Sequence, residues 1–148
     1  MRQYGIKVIF SYTTGTTGTV TNVKASNRIA GIPDGQLFAE LSWSSSEFTH
    51  NKNKRIAGTV LGVEAVAAGD LYANDSNASN RKAPGYAIFN AKASHSWDIA
   101  PMTLTAYGRL DNLADKRYIG SVIVGNANPF EPAPGRNWVV GLNAITRF

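Results

Sequence analysis

The sequence predicts an all-β chain, an antiparallel transmembrane β-barrel segment of about six strands, and three observations carry that prediction. The first is the stretch 138–148, where Trp138, Val140, Leu142, Ala144, Thr146 and Phe148 fall on one face of a period-two pattern, and Val139, Gly141, Asn143, Ile145 and Arg147 on the other. Successive strand side chains point to opposite faces, so this strand meets two environments, one nearly all apolar and one mixed. An apolar band with an aromatic at each rim fits a strand crossing a bilayer, although a terminal strand of a soluble sandwich alternates in the same way. The second observation is composition. Charged residues make up only 17% of the chain, below the roughly one quarter usual for soluble domains, and the polar remainder is largely Ser, Thr, Asn and Gly, suited to hairpins, wet loops and a polar lumen. The third is that every second connection between strands is long.

Taken in order, residues 4–12 form the first expected strand, with Tyr4, Ile6, Val8, Phe10 and Tyr12 sharing a face. A Thr- and Gly-rich connection follows over 13–35, closed by turn formers around Pro33, Asp34 and Gly35. Strand two is expected at 36–43, with Leu37, Ala39, Leu41 and Trp43 against Phe38, Glu40 and Ser42. Residues 44–57 are polar and basic. Strand three covers about 58–68, with Leu61, Val63, Ala65 and Ala67 opposite Glu64, and a polar stretch fills 69–84. Strand four covers about 85–95, with Asn90, Lys92 and Ser94 on its polar side, and Asp98 to Pro101 reads as a tight turn. Strand five covers about 102–111, with Arg109 on its polar side. The connection 112–137 holds Pro129, Pro132 and Pro134, which a central strand tolerates poorly.

The connections 13–35, 69–84 and 112–137 are therefore long, whereas 44–57 and 96–101 are shorter. Transmembrane barrels have this asymmetry, with short periplasmic turns and long extracellular loops. If the C-terminus is periplasmic, the three long connections all lie outside. A sandwich has no reason to sort its loops in this manner. The apolar faces also carry many small residues beside Leu and Val, which lipid accepts and a close-packed core avoids.

Other classes find little support. The chain has no cysteine, hence no disulfide framework or thiolate metal site. No apolar run reaches the roughly 18 residues of a transmembrane helix. The net charge of +5 invites a nucleic-acid reading, but Lys52, Lys54 and Arg55, and the pairs Arg81–Lys82 and Lys116–Arg117, lack interleaved aromatics or a known module. His50 and His95 have no ligand-like spacing, Asp70 and Asp75 lack the ordered spacing of a calcium loop, and no Gly-x-Ser-x-Gly elbow occurs. No enzyme activity, cofactor or nucleic-acid partner is expected. Residues 1–8 carry no export-type apolar core. An outer-membrane protein must be exported, so the expectation is that the signal lies elsewhere or that the chain is the back end of something longer.

Three terminal elements resemble a known family. Asp111, Asn112, Leu113, Ala114, Asp115, Lys116, Arg117 and Tyr118, then Pro134, Gly135 and Arg136 before Trp138, then the terminal Phe148, resemble the C-terminal end of TonB-dependent outer-membrane receptors. Segments 27–33, 72–75 and 83–86 are similar to siderophore-type members, so the resemblance runs from about residue 27. It implies a receptor that binds a metal chelate, such as a ferric siderophore, outside the cell and admits it with energy passed through TonB. Members have a barrel of about 22 strands around an N-terminal plug. Six strands cannot form that barrel and the plug has no room here. The chain is accordingly expected to be, over 1–148, an incomplete C-terminal part of the larger barrel, lacking the plug and not transport-competent alone. Its partners would be outer-membrane lipid, the barrel-assembly machinery, the missing plug and upstream strands, with TonB reached only through that plug.

Residue by residue, Asn112, Leu113, Asp115, Lys116 and Tyr118 are expected to shape the exit from strand five, with Asn and Asp side chains satisfying turn backbone groups. Pro134, Gly135 and Arg136 introduce the last strand, where Arg136 is expected to meet a carboxylate. Glu40, Glu64, Lys92, Arg109 and Arg147 fall on the faces assigned to the lumen, where ionisable groups at membrane depth belong. Phe148 resembles the terminal aromatic read by the barrel-assembly machinery, and equally suits an interfacial anchor. Two alternatives remain at this level: a small complete outer-membrane barrel with a structural or adhesive role, and a secreted soluble β-sandwich binding module. No ligand-binding residue is identifiable.

Overall fold

Period-two alternation over six segments is realised as one large antiparallel sheet. The computed structural model describes residues 3–12, 26–45 and 58–146. The strands are β1 (Gln3–Tyr12), β2 (Gly35–Ser44), β3 (Gly58–Ala68), β4 (Leu71–Tyr72), β5 (Lys82–Ala83), β6 (Tyr86–Ile99), β7 (Met102–Asp111), β8 (Ile119–Val122), β9 (Phe130–Pro132) and β10 (Asn137–Thr146), with one turn of 3-10 helix at Ser79–Arg81. The sheet order is β1-β2-β3-β6-β7-β10, so each strand pairs with the next long strand in the chain and β1 and β10 form its edges.

The strand bounds expected from sequence match those seen to within a residue, except at β6; the expected end of the last strand lies outside the described residues. The expected strand ends at 95; β6 continues to Ile99. The alternation simply persists, with Ser94, Ser96 and Asp98 on the polar side and His95, Trp97 and Ile99 on the apolar side, and the Ser96 and Thr105 hydroxyls bond across to β7 at 2.9 Å. The turn contracts to Ala100–Pro101, whose peptide bond is cis. Arg147 and Phe148 lie outside the described residues, as do His50, Lys52, Lys54 and Arg55. Two long connections also contain structure that sequence alone did not show. β4 pairs with β5, and β8 pairs with β9, each as a separate two-stranded sheet. Both are too short to announce themselves by periodicity, and Pro132 fits in β9 because that strand is a free edge.

The register fixes two faces. Leu41, Val63, Ala91, Leu110 and Trp138 lie in one row across five strands, and Trp43, Leu61, Ala93, Gly108 and Val140 in the next. This face stays uncovered: Phe89 is 54%, Leu142 72% and Trp138 72% exposed. The opposite face carries Glu40, Glu64, Asn90, Lys92, Arg109 and Asp111. Among the described residues the buried hydrophobic side chains are Leu71, Ala73 and Ala83, all in the connection between β3 and β6. The apolar core thus sits in the long loops, not against the sheet. No helix is long and apolar enough to cross a membrane among the described residues.

Long connections gather at one end. Gly69 N donates to Gly35 O at 3.0 Å, Gly31 N to Tyr72 O at 2.8 Å, and Gly125 N to Ala73 O at 3.2 Å, tying the segments after β1, β3 and β7 into a platform. At Gly69 a Cβ would fall 1.8 Å from Asp34 Oδ1, so a larger residue there would have to displace the Asp34 carboxylate.

Candidate functional site

The polar face is organised around Glu64, which is only 6% exposed in the middle of β3. Register sets Glu40 directly opposite it on β2, an unfavourable like-charge pair in isolation. Lys92 resolves the conflict: its Nζ lies 2.9 Å from Glu40 Oε1 and 3.1 Å from Glu64 Oε1. Lys92 reaches across β3 because Gly62 stands opposite it; a Cβ there would come within 2.8 Å of Lys92 Cε. From the other side Arg109 grips Glu64 with both ends of its guanidinium, Nη1 to Oε1 at 2.9 Å and Nη2 to Oε2 at 2.7 Å, while its Nε donates to Asp111 Oδ1 at 2.7 Å. Planar two-point contact of this kind is the strong form of a charge-assisted bond. Asn90 Nδ2 adds a longer bond to Glu64 Oε2 at 3.4 Å.

The network continues into the exit of β7. Asn90 Oδ1 accepts the backbone N–H of Asn112 at 3.0 Å. Asn112 has φ +52°, the left-handed region that asparagine tolerates, and is 2% exposed. Its side chain closes the turn, Nδ2 donating to Lys116 O at 2.8 Å and Oδ1 accepting Lys116 N–H at 2.9 Å. Asp115, also left-handed at φ +50°, accepts the N–H of Arg136 on Oδ1 at 2.8 Å. That contact pins the segment Pro134–Gly135–Arg136 ahead of β10. Arg136 meets a carboxylate through its backbone, whereas the sequence suggested its side chain.

Above the polar face the platform holds a second charged group. Asp70 pairs with Lys82 Nζ at 2.6 Å, lies 3.9 Å from Arg28 Nη1, and accepts Gly85 N–H on Oδ1 at 2.9 Å. Arg28 also reaches Asp34 at 2.9 Å. The ring of Tyr72 has Arg28 5.8 Å and Lys82 5.9 Å from its centroid. The bond from Lys82, then that from Gly85, hold the Asp70 carboxyl below its ordinary range, and the same bond raises Lys82. Tyr118 packs against Tyr86 with ring centroids 4.3 Å apart, and burial pushes its phenol up.

The structure thus joins four of the five lumen-face charges expected from sequence, Glu40, Glu64, Lys92 and Arg109, in one network; the fifth, Arg147, is not described. It adds Asn90, Asp111 and Gly62, which sequence placed on strands without linking them to the charges. The missing signal was cross-strand register, which spacing within one strand cannot give. Leu113 extends the exit turn, its N–H donating to Phe89 O at 2.8 Å. His95 takes no part: its Nδ1 is 2.7 Å from Thr59 Oγ1, and its ring meets Trp97 edge-on at the apolar face. Among the described residues no group of three His, Cys, Asp or Glu could hold a metal. Chemically, the network is a wall of mutually saturated charges, suited to presenting a fixed polar surface.

An antiparallel sheet with an apolar face, an ion-paired face and its long loops at one end resembles a piece of β-barrel wall. The family described as TonB dependent receptor-like, beta-barrel, matches residues 2–113, most of the chain, and the chain belongs to that family. The match opens at residue 2, well ahead of the point near residue 27 from which the sequence resemblance was read; β1 is paired along its whole length with β2, as regularly as any later strand. It closes at Leu113, so Asp115, Lys116, Tyr118, Pro134, Gly135 and Arg136 lie beyond it. Among solved structures, the fold is similar to that of BauA, the ferric preacinetobactin receptor from Acinetobacter baumannii, with a TM-score of 0.71 and 15% identity over 94% of this chain and 19% of that one. The likeness is one of fold, and the chain spans about a fifth of that receptor's length. The family is one of receptors and not of enzymes, so the chain is non-enzymatic.

Proposed function

We propose that this chain is the C-terminal wall portion, about six strands, of the barrel of an outer-membrane receptor that takes up a metal chelate such as a ferric siderophore, energised through TonB. The observation that carries this reading is the division of the sheet: large apolar side chains uncovered on one face, and a continuous ion-pair network on the other. Lipid favours the first surface and penalises the second, which therefore lines the lumen. Membership of the receptor family supports the role, and the similarity to a receptor for a ferric chelate supports the ligand class.

Among the described residues no further strand pairs with the outer rows of the edge strands β1 and β10, which hydrocarbon does not tolerate, so on this reading further strands complete the wall. Plug and upstream strands belong to the rest of the receptor, and transport needs all of it. The lumen network would face the plug, TonB would act through that plug, and Phe148 would serve recognition by the barrel-assembly machinery. Long connections would face outward.

Uptake of a radiolabelled ferric chelate by cells carrying or lacking the receptor tests the role. Uptake that disappears with the receptor and with TonB is expected. Uptake unchanged by removing either one contradicts it.

A further inference from the structure

Asn90 links the ion pairs of the polar face to the exit of β7. It is 4% exposed, between Glu64 at 6% and Asn112 at 2%. Its Nδ2 donates to Glu64 Oε2 at 3.4 Å, and its Oδ1 accepts the Asn112 N–H at 3.0 Å. A side-chain amide has two orientations in such a place, and here they are far from equal. Turned over, it would set its oxygen against a carboxylate and its amino group against an N–H, leaving buried groups unsatisfied. The Glu64 carboxylate therefore decides which end of Asn90 faces the strand exit. A parallel tie runs through Arg109, whose Nη2 holds the same Oε2 and whose Nε holds Asp111, the last residue of β7.

From Asn112 the contacts run into both legs of the connection between β7 and β10. Asn112 O accepts the Asp115 N–H at 2.8 Å, its side chain brackets Lys116, and its Nδ2 lies 3.5 Å from Pro134 O. Asp115 in turn holds the Arg136 N–H, and Ala133 N donates to Tyr118 O at 3.0 Å, closing the legs on each other. We infer that Asn90 is a joint by which the Glu64 carboxylate, on the polar face, sets the order of the turn at 112–118 and so of the base of that connection. An interior cation that draws Glu64 away from Asn90 frees the amide to turn and releases the base. Leu113 N–H keeps its own bond to Phe89 O at 2.8 Å, so the release opens the turn and not the strand end. An amide with two discrete orientations is the kind of element through which a contact on one surface is felt at another. That this joins a lumen to the outer surface rests on the receptor reading; the joint itself rests on the contacts alone.

The test is hydrogen exchange on the intact protein in detergent micelles, read as protection factors over 112–118. Glu64→Leu mimics the withdrawal: it removes the acceptor yet leaves each cation a carboxylate, Lys92 with Glu40 and Arg109 with Asp111. It should lower protection there about fivefold, the worth of one net hydrogen bond. Glu64→Gln keeps an acceptor oxygen for Asn90, so protection should stay within about twofold of the native value. Asn90→Leu should match Glu64→Leu, and combining the two should add nothing, because both act through one bond. Residues 72–78, held by Asn27 and Arg28 through Asp75 and Asn77, should be unchanged throughout. Glu64→Met, unbranched and adaptable, takes the place of the leucine variant should that one not fold. Unchanged protection in Glu64→Leu, equal losses with Gln and with Leu, or losses that multiply in the double variant overturn the joint. So does a loss shared equally by 72–78, which marks general loosening. None of these readouts depends on uptake, so the joint can fail while the receptor role stands, and uptake that refutes the receptor role leaves the exchange result intact.

Discussion

Glu64 is the residue at which three strands are held to one another, and its environment sets the consequences of change. Arg109 gives it two bonds and Lys92 a third. Removing one partner of a buried pair leaves a charge without compensation, so Arg109→Ala should lower stability by about 3 kcal/mol, measured by denaturant unfolding in detergent micelles. Glu64→Gln combined with Arg109→Gln should cost less than the two single changes summed, because the uncompensated charge is then absent. Asn112 offers a second test. Asn112→Ala strains a left-handed residue and strips the turn of its side-chain bonds, at about 2 kcal/mol. Asn112→Gly should cost less than Ala, since it keeps the backbone conformation and loses only the bonds.

The Asp70–Lys82 pair predicts a pH window for the platform. Asp70 is held below its ordinary range, so its contribution is present above the unfolded value of about 4 and is lost as pH falls through the lower folded value. Lys82 is raised, so its contribution is full below about 10.4 and is lost as pH climbs through the higher folded value. Both side chains are about a third exposed and the effect is modest. Protection factors for amide exchange in residues 69–85, with the intrinsic pH dependence of the rate divided out, should therefore be highest between those limits and fall on either side; a protection profile flat through both would deny the pair any role in ordering the loops.

At the scale of elements, the connections decide sidedness. Cysteines at Ser76 and Ala127, both exposed on the long connections, should react with an impermeant reagent on intact cells, and one at Ala100 should react only after the envelope is opened. Reaction at Ala100 alone would invert the topology. The long strands were legible from sequence because a strand between two unlike environments alternates, and β2, β3, β7 and β10 each keep one face largely apolar from end to end. The far half of β6 was harder to see, since Ser94, His95 and Ser96 blur the contrast between faces even though alternation continues to Ile99. The small pairs β4–β5 and β8–β9 are set by contacts between connections, such as Gly31 with Tyr72 and Gly125 with Ala73, which no local pattern encodes. For the same reason sequence placed Glu40, Glu64, Lys92 and Arg109 on the polar faces of their strands but did not show that they bond to one another. Gly62 carries no signal within its own strand; its role comes from the register that sets Lys92 across it.

For the molecule as a whole, the governing feature is where apolar side chains end up. A soluble domain would bury Leu41, Phe89, Leu142 and Trp138, whereas here they stand on an uncovered face and the buried apolar residues lie in the loop platform. So broad an apolar surface marks a place where something other than water belongs. Small residues interleaved with large ones, as at Ala91, Ala93 and Gly108, give that face relief without requiring a second protein layer to interlock with it. The most direct measurement attaches a fluorophore, one position at a time, along β10 from Trp138 to Thr146 in the intact protein reconstituted into vesicles with brominated acyl chains. Strong quenching at Val140, Leu142 and Ala144 with little at Gly141, Asn143 and Ile145 is the predicted result, repeating with period two. Quenching that is uniform along the strand, or absent at Leu142, would contradict the division of the sheet into a lipid face and a lumen face.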